Sequence, residues 1–261
     1  MHITLTATEF EVAWGVLGLG DLPLIFRVRI ARGGATAAER ARLVASTVDG
    51  LGGRGLADAG RPSGDLPGAL ALLARHRWAV DARLDLHHEC RALGAATRDA
   101  AVVAVLAADT VTITPCTPQR LAADLAGLAG HPAAGGGRSI NVRAAALLAA
   151  AERVAGAGEP HRLADELIGE GVPAIDARVL ARLNAEMAGG GQYGVEVVDR
   201  DGTVRRAPRA VGFCDTHDGR WAQLRTTGHG GQEWVTFTPA GTAQLAAMIT
   251  DLLRECGVRV A

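Results

Sequence analysis

Residues 234–253, WVTFTPAGTAQLAAMITDLL, change hydrophobic period from two to helical within a few positions. Val235, Thr236, Phe237 and Thr238 are a β-branched and aromatic run suited to a pleated strand. Pro239 cannot donate to a sheet ladder and ends it. Gly241 is an acceptable N-cap, and Leu245, Met248, Ile249, Leu252 and Leu253 then recur at i, i+3, i+4, i+7 and i+8, one apolar helical stripe. Residues 111–125, VTITPCTPQRLAADL, repeat this pattern 124 positions upstream, with Val111, Thr112, Thr114, Pro115, Leu121, Ala122 and Ala123 matching their counterparts. Thr117 and Pro118 sign the helix start in that copy. Gly60-Arg61-Pro62 and Gly171-Val172-Pro173 each precede a helix, so the chain reads as two similar halves, each ending strand–proline–helix. A repeat of this length is a duplication rather than a solenoid.

Taken in order, residues 3–5 suit a short strand, and Thr6 or Thr8 caps a helix through Leu17 whose inner face carries Phe10, Trp14 and Leu17. Residues 24–30 alternate and read as extended. Thr36 and Glu39 form a capping box for a helix to about Leu51. A glycine-rich loop over 52–65 precedes a helix over 66–76. Strands are expected at 78–86, 100–106 and 111–115, then a helix at 118–129. Residues 131–138, glycine-rich and without periodicity, read as a linker between halves 1–130 and 139–261 of one domain, 1–261. Helices are expected at 142–155, 161–169 and 174–187, followed by strands at 192–198, 205–214, 220–226 and 233–238 with hairpin turns at 199–202 and 215–219. Sequence-adjacent antiparallel strands around a central sheet, with helices grouped outside, make the fold class α+β.

At 261 residues the chain supports a large core. A formal net charge of −1 gives no bulk electrostatic case for nucleic acid or an anionic membrane. All the basic residues are arginine, a mark of coding bias. No basic-plus-apolar leader is visible, and the longest small-apolar run, 100–108, is too short to span a bilayer, so a soluble cytoplasmic protein is expected. Cys90, Cys116, Cys214 and Cys256 show no C-x-x-C spacing and read as buried free thiols.

His87, His88, Glu89 and Cys90 are ligand types, but sequence neighbours point apart and lack the convergence of a metal site; they read as a polar loop. Cys214, Asp215, Thr216, His217 and Asp218 lack an ordering third group and read as turn formers. Gly18-Leu19-Gly20 is no dinucleotide fingerprint, and Gly228, Gly230 and Gly231 are no phosphate loop. No catalytic residue, metal ligand or cofactor is assigned, and no enzyme is expected. Trp221 and Trp234 lie on strands expected to pair, as packed core or as a face for a partner, where tryptophan is enriched.

Gln192-Tyr193-Gly194-Val195, then Asp215-Thr216 with Gly219-Arg220-Trp221, then Trp234 to Pro239 and a leucine-rich closing helix resemble the C-terminal half of the EspG family. The N-terminus agrees through Leu5-Thr6, Leu22-Pro23, Thr36 to Arg40 and Gly55-Leu56, so the resemblance covers essentially the whole chain. It implies a pseudo-twofold α+β fold and a cytosolic chaperone of ESX (type VII) secretion. Such a protein holds a PE–PPE heterodimer, or a related WxG-type helical substrate, by its hydrophobic tip. The groove is expected on the second meander and the 142–188 helices, with Phe213, Trp221 and Leu224 as candidate partner-binding residues. Trp221 and Leu224, three apart on one strand, are expected on opposite faces. The lone tyrosine, Tyr193, has Val197 four places on, and Trp14 is followed directly by Gly15, so the chain lacks the secretion signals of an ESX substrate. The competing reading is a metal- or small-molecule-binding enzyme or sensor using the His87 to Cys90 and Cys214 to His217 loops together. A homodimer through a sheet edge is compatible with the chaperone reading.

Overall fold

In the computed structural model, which describes residues 2–154 and 160–259, strand β1 (Ile3–Thr6) passes without a loop into helix α1 (Ala7–Val16). Thr6 makes the junction. Its hydroxyl accepts from the Glu9 N–H at 3.1 Å while Glu9 Oε2 accepts from the Thr6 N–H at 2.7 Å, a reciprocal capping box. Then come α2 (Leu24–Arg27) and α3 (Ala37–Gly52), the latter boxed in the same way by Thr36 and Glu39. Next are the small ribbon β2 (Ala57–Asp58) and β3 (Arg61–Pro62), and α4 (Leu66–Ala74). The meander β4 (Trp78–Asp85), β5 (Glu89–Ala96), β6 (Ala101–Ala107) and β7 (Thr110–Cys116) leads to α5 (Leu121–Gly127). The second half again starts strand-to-helix, with β8 (Ile140–Arg143), α6 (Ala144–Val154), α7 (Pro160–Gly169) and α8 (Ala174–Ala185). It closes with β9 (Gly189–Val198), β10 (Val204–Arg206), β11 (Val211–Thr216), β12 (Gly219–Thr227), β13 (Glu233–Pro239) and α9 (Thr242–Glu255).

One antiparallel sheet runs in the order β1-β7-β6-β5-β4-β9-β11-β12-β13-β8, with β10 paired to β9. From the β4–β9 seam outward the two sides match. Each places its meander strands in sequence and finishes on the strand that opens its half. On one face, Val105, Ala92, Ala82, Tyr193, Val211 and Leu224 lie in register across successive strands, an apolar row roofed by α5 and α9. Gly94 is where α5 comes closest: a Cβ there would sit 2.7 Å from Leu125 Cδ1 and 2.8 Å from Leu121 Cδ2.

Several expectations change. Residues 24–30 are not extended: α2 buries Phe26, as its next turn buries Ile30, and leaves Leu24 and Val28 outside. Alternation also satisfies i, i+4, and here only that spacing reaches the core. Strand β5 was not expected at all, because its small residues Ala92, Gly94, Ala95 and Ala96 lack β-branched character; Glu89 and Cys90 belong to it rather than to a loop. Residues 140–143 form β8 where the helix was expected to begin, and that helix's expected end at Ala155 lies outside the described residues. The expected strand 205–214 is two strands interrupted around Pro208, which has no N–H for a ladder.

Segment 131–138 is docked rather than loose. Gly135 N–H donates to the Arg220 carbonyl at 2.8 Å and Arg220 N–H to the Ala133 carbonyl at 2.9 Å. Gly219 has φ +121°, and a Cβ there would meet Ala133 O and Gly135 N, each at 2.8 Å. Trp221 lies directly beneath Gly135, leaving no room for a side chain there.

Candidate partner-binding groove

On the opposite face the register gives Leu5, Val111, Leu106, Arg91, Arg83, Gln192, Gly212, Gln223, Phe237 and Ile140 in consecutive strands. The row is apolar at both ends and polar or glycine in the middle. Leu5, Val111 and Leu106 are buried with residues of α1, α3 and α4, and Ile140 and Phe237 pack with residues of α6, α7 and α8. A helix laid over the middle would desolvate Arg83 and the polar side chains beside it, so the sequence builds two helical lobes with an open strip of sheet between them.

Two cavities of about 490 Å³ and about 390 Å³ lie on this strip and share Arg83 and Gln192. The larger reaches Met187, just past α8, and the smaller runs beneath α2 to Leu24 and Val28. These rim residues are the apolar part of the groove: Leu24 is 62%, Val28 58% and Met187 56% exposed. Exposed large apolar side chains on both rims of one cleft mark an interaction site more than a stable free surface.

The floor is charged but largely self-compensated. Arg206 reaches over Gly194 to Asp81 at 2.6 Å and to Glu196 at 3.2 Å. His76 bridges the same Glu196 carboxylate at 3.1 Å and the Leu73 carbonyl at 3.0 Å, tying the end of α4 to β9. The hydrogen bond from His76 holds the Glu196 carboxyl below its ordinary range against the opposing effect of burial, and the nearby Arg206 charge adds to it. Glu89 is lowered in the same sense, first by its hydrogen bond from Arg91 and further by Arg29.

Of the three candidate residues, Phe213 alone borders one of the strip's cavities. Phe213 is 5% exposed on the face beneath α9, its ring stacked on Tyr193 with centroids 5.9 Å apart, and it lines the larger cavity. Trp221, 2% exposed, is covered by segment 131–138. Leu224 is half-buried, packed against the core on the face opposite the strip. Trp221 and Leu224 do face opposite sides, as their spacing requires. The signal for the open strip was present in β4, where Asp81, Arg83 and Asp85 alternate with Val80, Ala82 and Leu84. Alternation in a central strand means that one face is not roofed.

The two loops of the competing reading lie at the same end of the sheet, since Asp85 and Cys214 both face Gly190 in register. They do not converge on one site. Among the described residues, the metal-compatible set within 4.8 Å is Glu186, His217 and Asp218, without His87, His88 or either cysteine. The His217 nitrogens lie 3.5 Å from Glu186 and 3.3 Å from Asp218, and Asp218 also pairs with Arg182 at 3.5 Å, an exposed ion-pair cluster. Burial pushes the Cys214 thiol up to about 11, so it is no ready nucleophile at neutral pH.

A family model described as the EspG family matches residues 6–251. The chain belongs to the EspG family. A similar solved structure is the Mycobacterium tuberculosis type VII secretion system chaperone EspG5 in complex with the PE25–PPE41 dimer; it superposes with a TM-score of 0.75 at 16% identity, covering 97% of this chain and 96% of that one. No curated protein sequence matches significantly. The sequence resemblance and the α+β class are therefore correct, and the two-lobed sheet described above is an EspG fold. No described helix is long and apolar enough to cross a membrane.

Proposed function

We propose that this protein is a cytoplasmic secretion chaperone that acts by binding rather than catalysis. The open strip between the two helical lobes seats the hydrophobic tip of a PE–PPE or related WxG-type helical client, keeps it soluble and hands it to a type VII secretion system. The observation that carries this is the register row through Arg83 and Gln192, apolar at both ends and polar in the middle, with Leu24, Val28 and Met187 exposed on its rims. Family membership and the likeness to EspG5 bound to PE25–PPE41 support it. Apolar rims shield the client's exposed tip from aggregation, and the polar floor keeps the empty chaperone soluble. We take the two halves, 1–130 and 139–261, as products of a duplication joined by segment 131–138, which supplies two lobes flanking one seam.

Co-expression with PE–PPE pairs encoded near the gene, followed by size-exclusion chromatography with mass measurement, tests the reading. A stable co-eluting complex is expected. Failure of every such pair to bind the folded protein would overturn it.

A further inference from the structure

Among the described residues lining the two cavities, each charged side chain has a hydrogen-bond or ion-pair partner within the chain except Arg83 and Asp85. Asp81, Glu196, His76 and Arg206 form one network. Arg91 is held by Glu89, which also takes Arg29, and Asp21 is held by Arg27. Arg83 is exposed, lines both cavities and makes no side-chain hydrogen bond or ion pair. Its neighbours in register, Arg91 and Gln192, offer it no negative charge, and the carboxylate its charge does reach, Glu89, already holds Arg91 and Arg29. Asp85 sits two residues on at the strand end, beside the outer cavity alone.

Water serves Arg83 while the groove is empty. Any occupant of either cavity removes that water, and an arginine covered without an acceptor weakens binding strongly. Asp81, Glu89 and Glu196 are already engaged, and Asp85 makes no hydrogen bond or ion pair with Arg83, so the acceptor has to arrive with the occupant. A guanidinium is satisfied best by a planar carboxylate that takes two of its N–H groups at once. We infer that the docking tip of the helical client carries an acidic side chain that is received by Arg83 at the centre of the floor, inside the apolar rims formed by Leu24, Val28 and Met187. This rests on the reading of the groove as the client's seat and adds the charge a client must present. The apolar rims hold any such tip, whereas the buried ion pair selects among tips.

The test compares wild-type protein with Arg83→Glu and Arg83→Lys against a PE–PPE pair that the wild type binds, using titration calorimetry at two salt concentrations. Arg83 is exposed, so unchanged thermal unfolding verifies that the variants fold. Arg83→Glu is expected to raise Kd by at least about 30-fold, the scale for a buried interfacial charge pair, and Arg83→Lys to raise it less. Amide replacement of one acidic residue at the client tip should match the Arg83→Glu loss, and an arginine there should recover binding to Arg83→Glu. Full binding by Arg83→Glu would overturn the inference and leave the chaperone reading intact. Loss by Arg83→Glu with no effect of any tip amide would also overturn it, assigning the acceptor to backbone carbonyls. If the wild type binds no PE–PPE pair, the functional reading falls and this inference with it.

Discussion

Arg220 and Asp215 form a forked ion pair across the β11–β12 hairpin, Nε to Oδ1 at 2.6 Å and Nη2 to Oδ2 at 2.7 Å, with the arginine side chain entirely out of solvent. Nη2 also donates to the Ala129 carbonyl at 2.6 Å, beyond the end of α5, so the pair fastens the second half of the chain to the first. Nη1 has no hydrogen-bond partner among the described residues, but the guanidinium carbon lies 4.5 Å from the Phe213 ring centroid, where the ring face meets the charge. Removing one partner of such a pair strands a buried charge. Asp215→Ala is therefore expected to cost about 3–5 kcal/mol in urea unfolding, and Asp215→Ala with Arg220→Met distinctly less than the sum of the two single changes. Additive losses would mean that the pair is not coupled in solution.

The Asp215-Thr216, Gly219-Arg220-Trp221 pattern was legible as a family signature, but not as what it is physically. Asp215 and Arg220 make the staple, Gly219 admits the inter-half segment, and Trp221 is its floor. Tryptophan on a sheet suggests a binding face when its covering is invisible, and the covering here is a stretch of glycines with no hydrophobic signal of its own. The strand–proline–helix ends and the Thr36–Glu39 capping box were readable because their causes are local. Strand β5 was not, because its small residues carry no strand signal, and the open strip was marked only by the alternation in β4, while its neighbours are fixed by pairing across the seam of the two halves.

Segment 131–138 gives a second prediction. Gly219→Ala places a side chain in the left-handed region against Ala133 and Gly135, and Gly135→Ala drives a methyl onto the Trp221 indole. Each is expected to destabilise by about 1–3 kcal/mol and to make residues 131–138 sensitive to limited proteolysis. Gly136→Ala, with open space at its Cβ, is the control that leaves both unchanged.

The His76–Glu196 contact predicts a pH dependence. The folded Glu196 carboxyl is held below its ordinary 4.5, so its contribution is fully present above that pH and fades as pH falls through the lowered folded value. Glu196→Gln is expected to cost about 1 kcal/mol near neutrality, with the gap to wild type closing below about pH 4. Unfolding curves between pH 3 and 7 on the scale of this carboxylate titration measure the gap. A gap independent of pH would assign the loss to packing.

The thiols offer a direct check on burial. Cys116 and Cys214 are raised to about 11, chiefly by desolvation, so they are almost wholly protonated at pH 8 and poorly reactive. Iodoacetamide under native conditions is expected to modify these two slowly by mass spectrometry, and denaturant to release both at once. Rapid native labelling of Cys214 would revive a sensing role for that loop.

Helix α2 separates stability from recognition most sharply, because its neighbouring residues have opposite environments. Phe26 is buried, with its ring edge-on to Phe10 at 5.7 Å between centroids, whereas Leu24 and Val28, two residues to either side, face the groove. Phe26→Ala is expected to cost about 3–5 kcal/mol of folding stability. Leu24→Asp and Val28→Asp should leave unfolding within about 0.5 kcal/mol of wild type, as exposed positions do, yet weaken client binding about tenfold each by putting charge on a desolvated apolar rim. The same contrast judges the residues first suggested by the sequence. Leu224→Asp, half-buried against the core on the face away from the groove, should lower stability and leave client binding by the folded protein unchanged. A stable Leu224→Asp variant with lost client binding, beside fully active Leu24→Asp and Val28→Asp, would move the interface to the other face of the sheet.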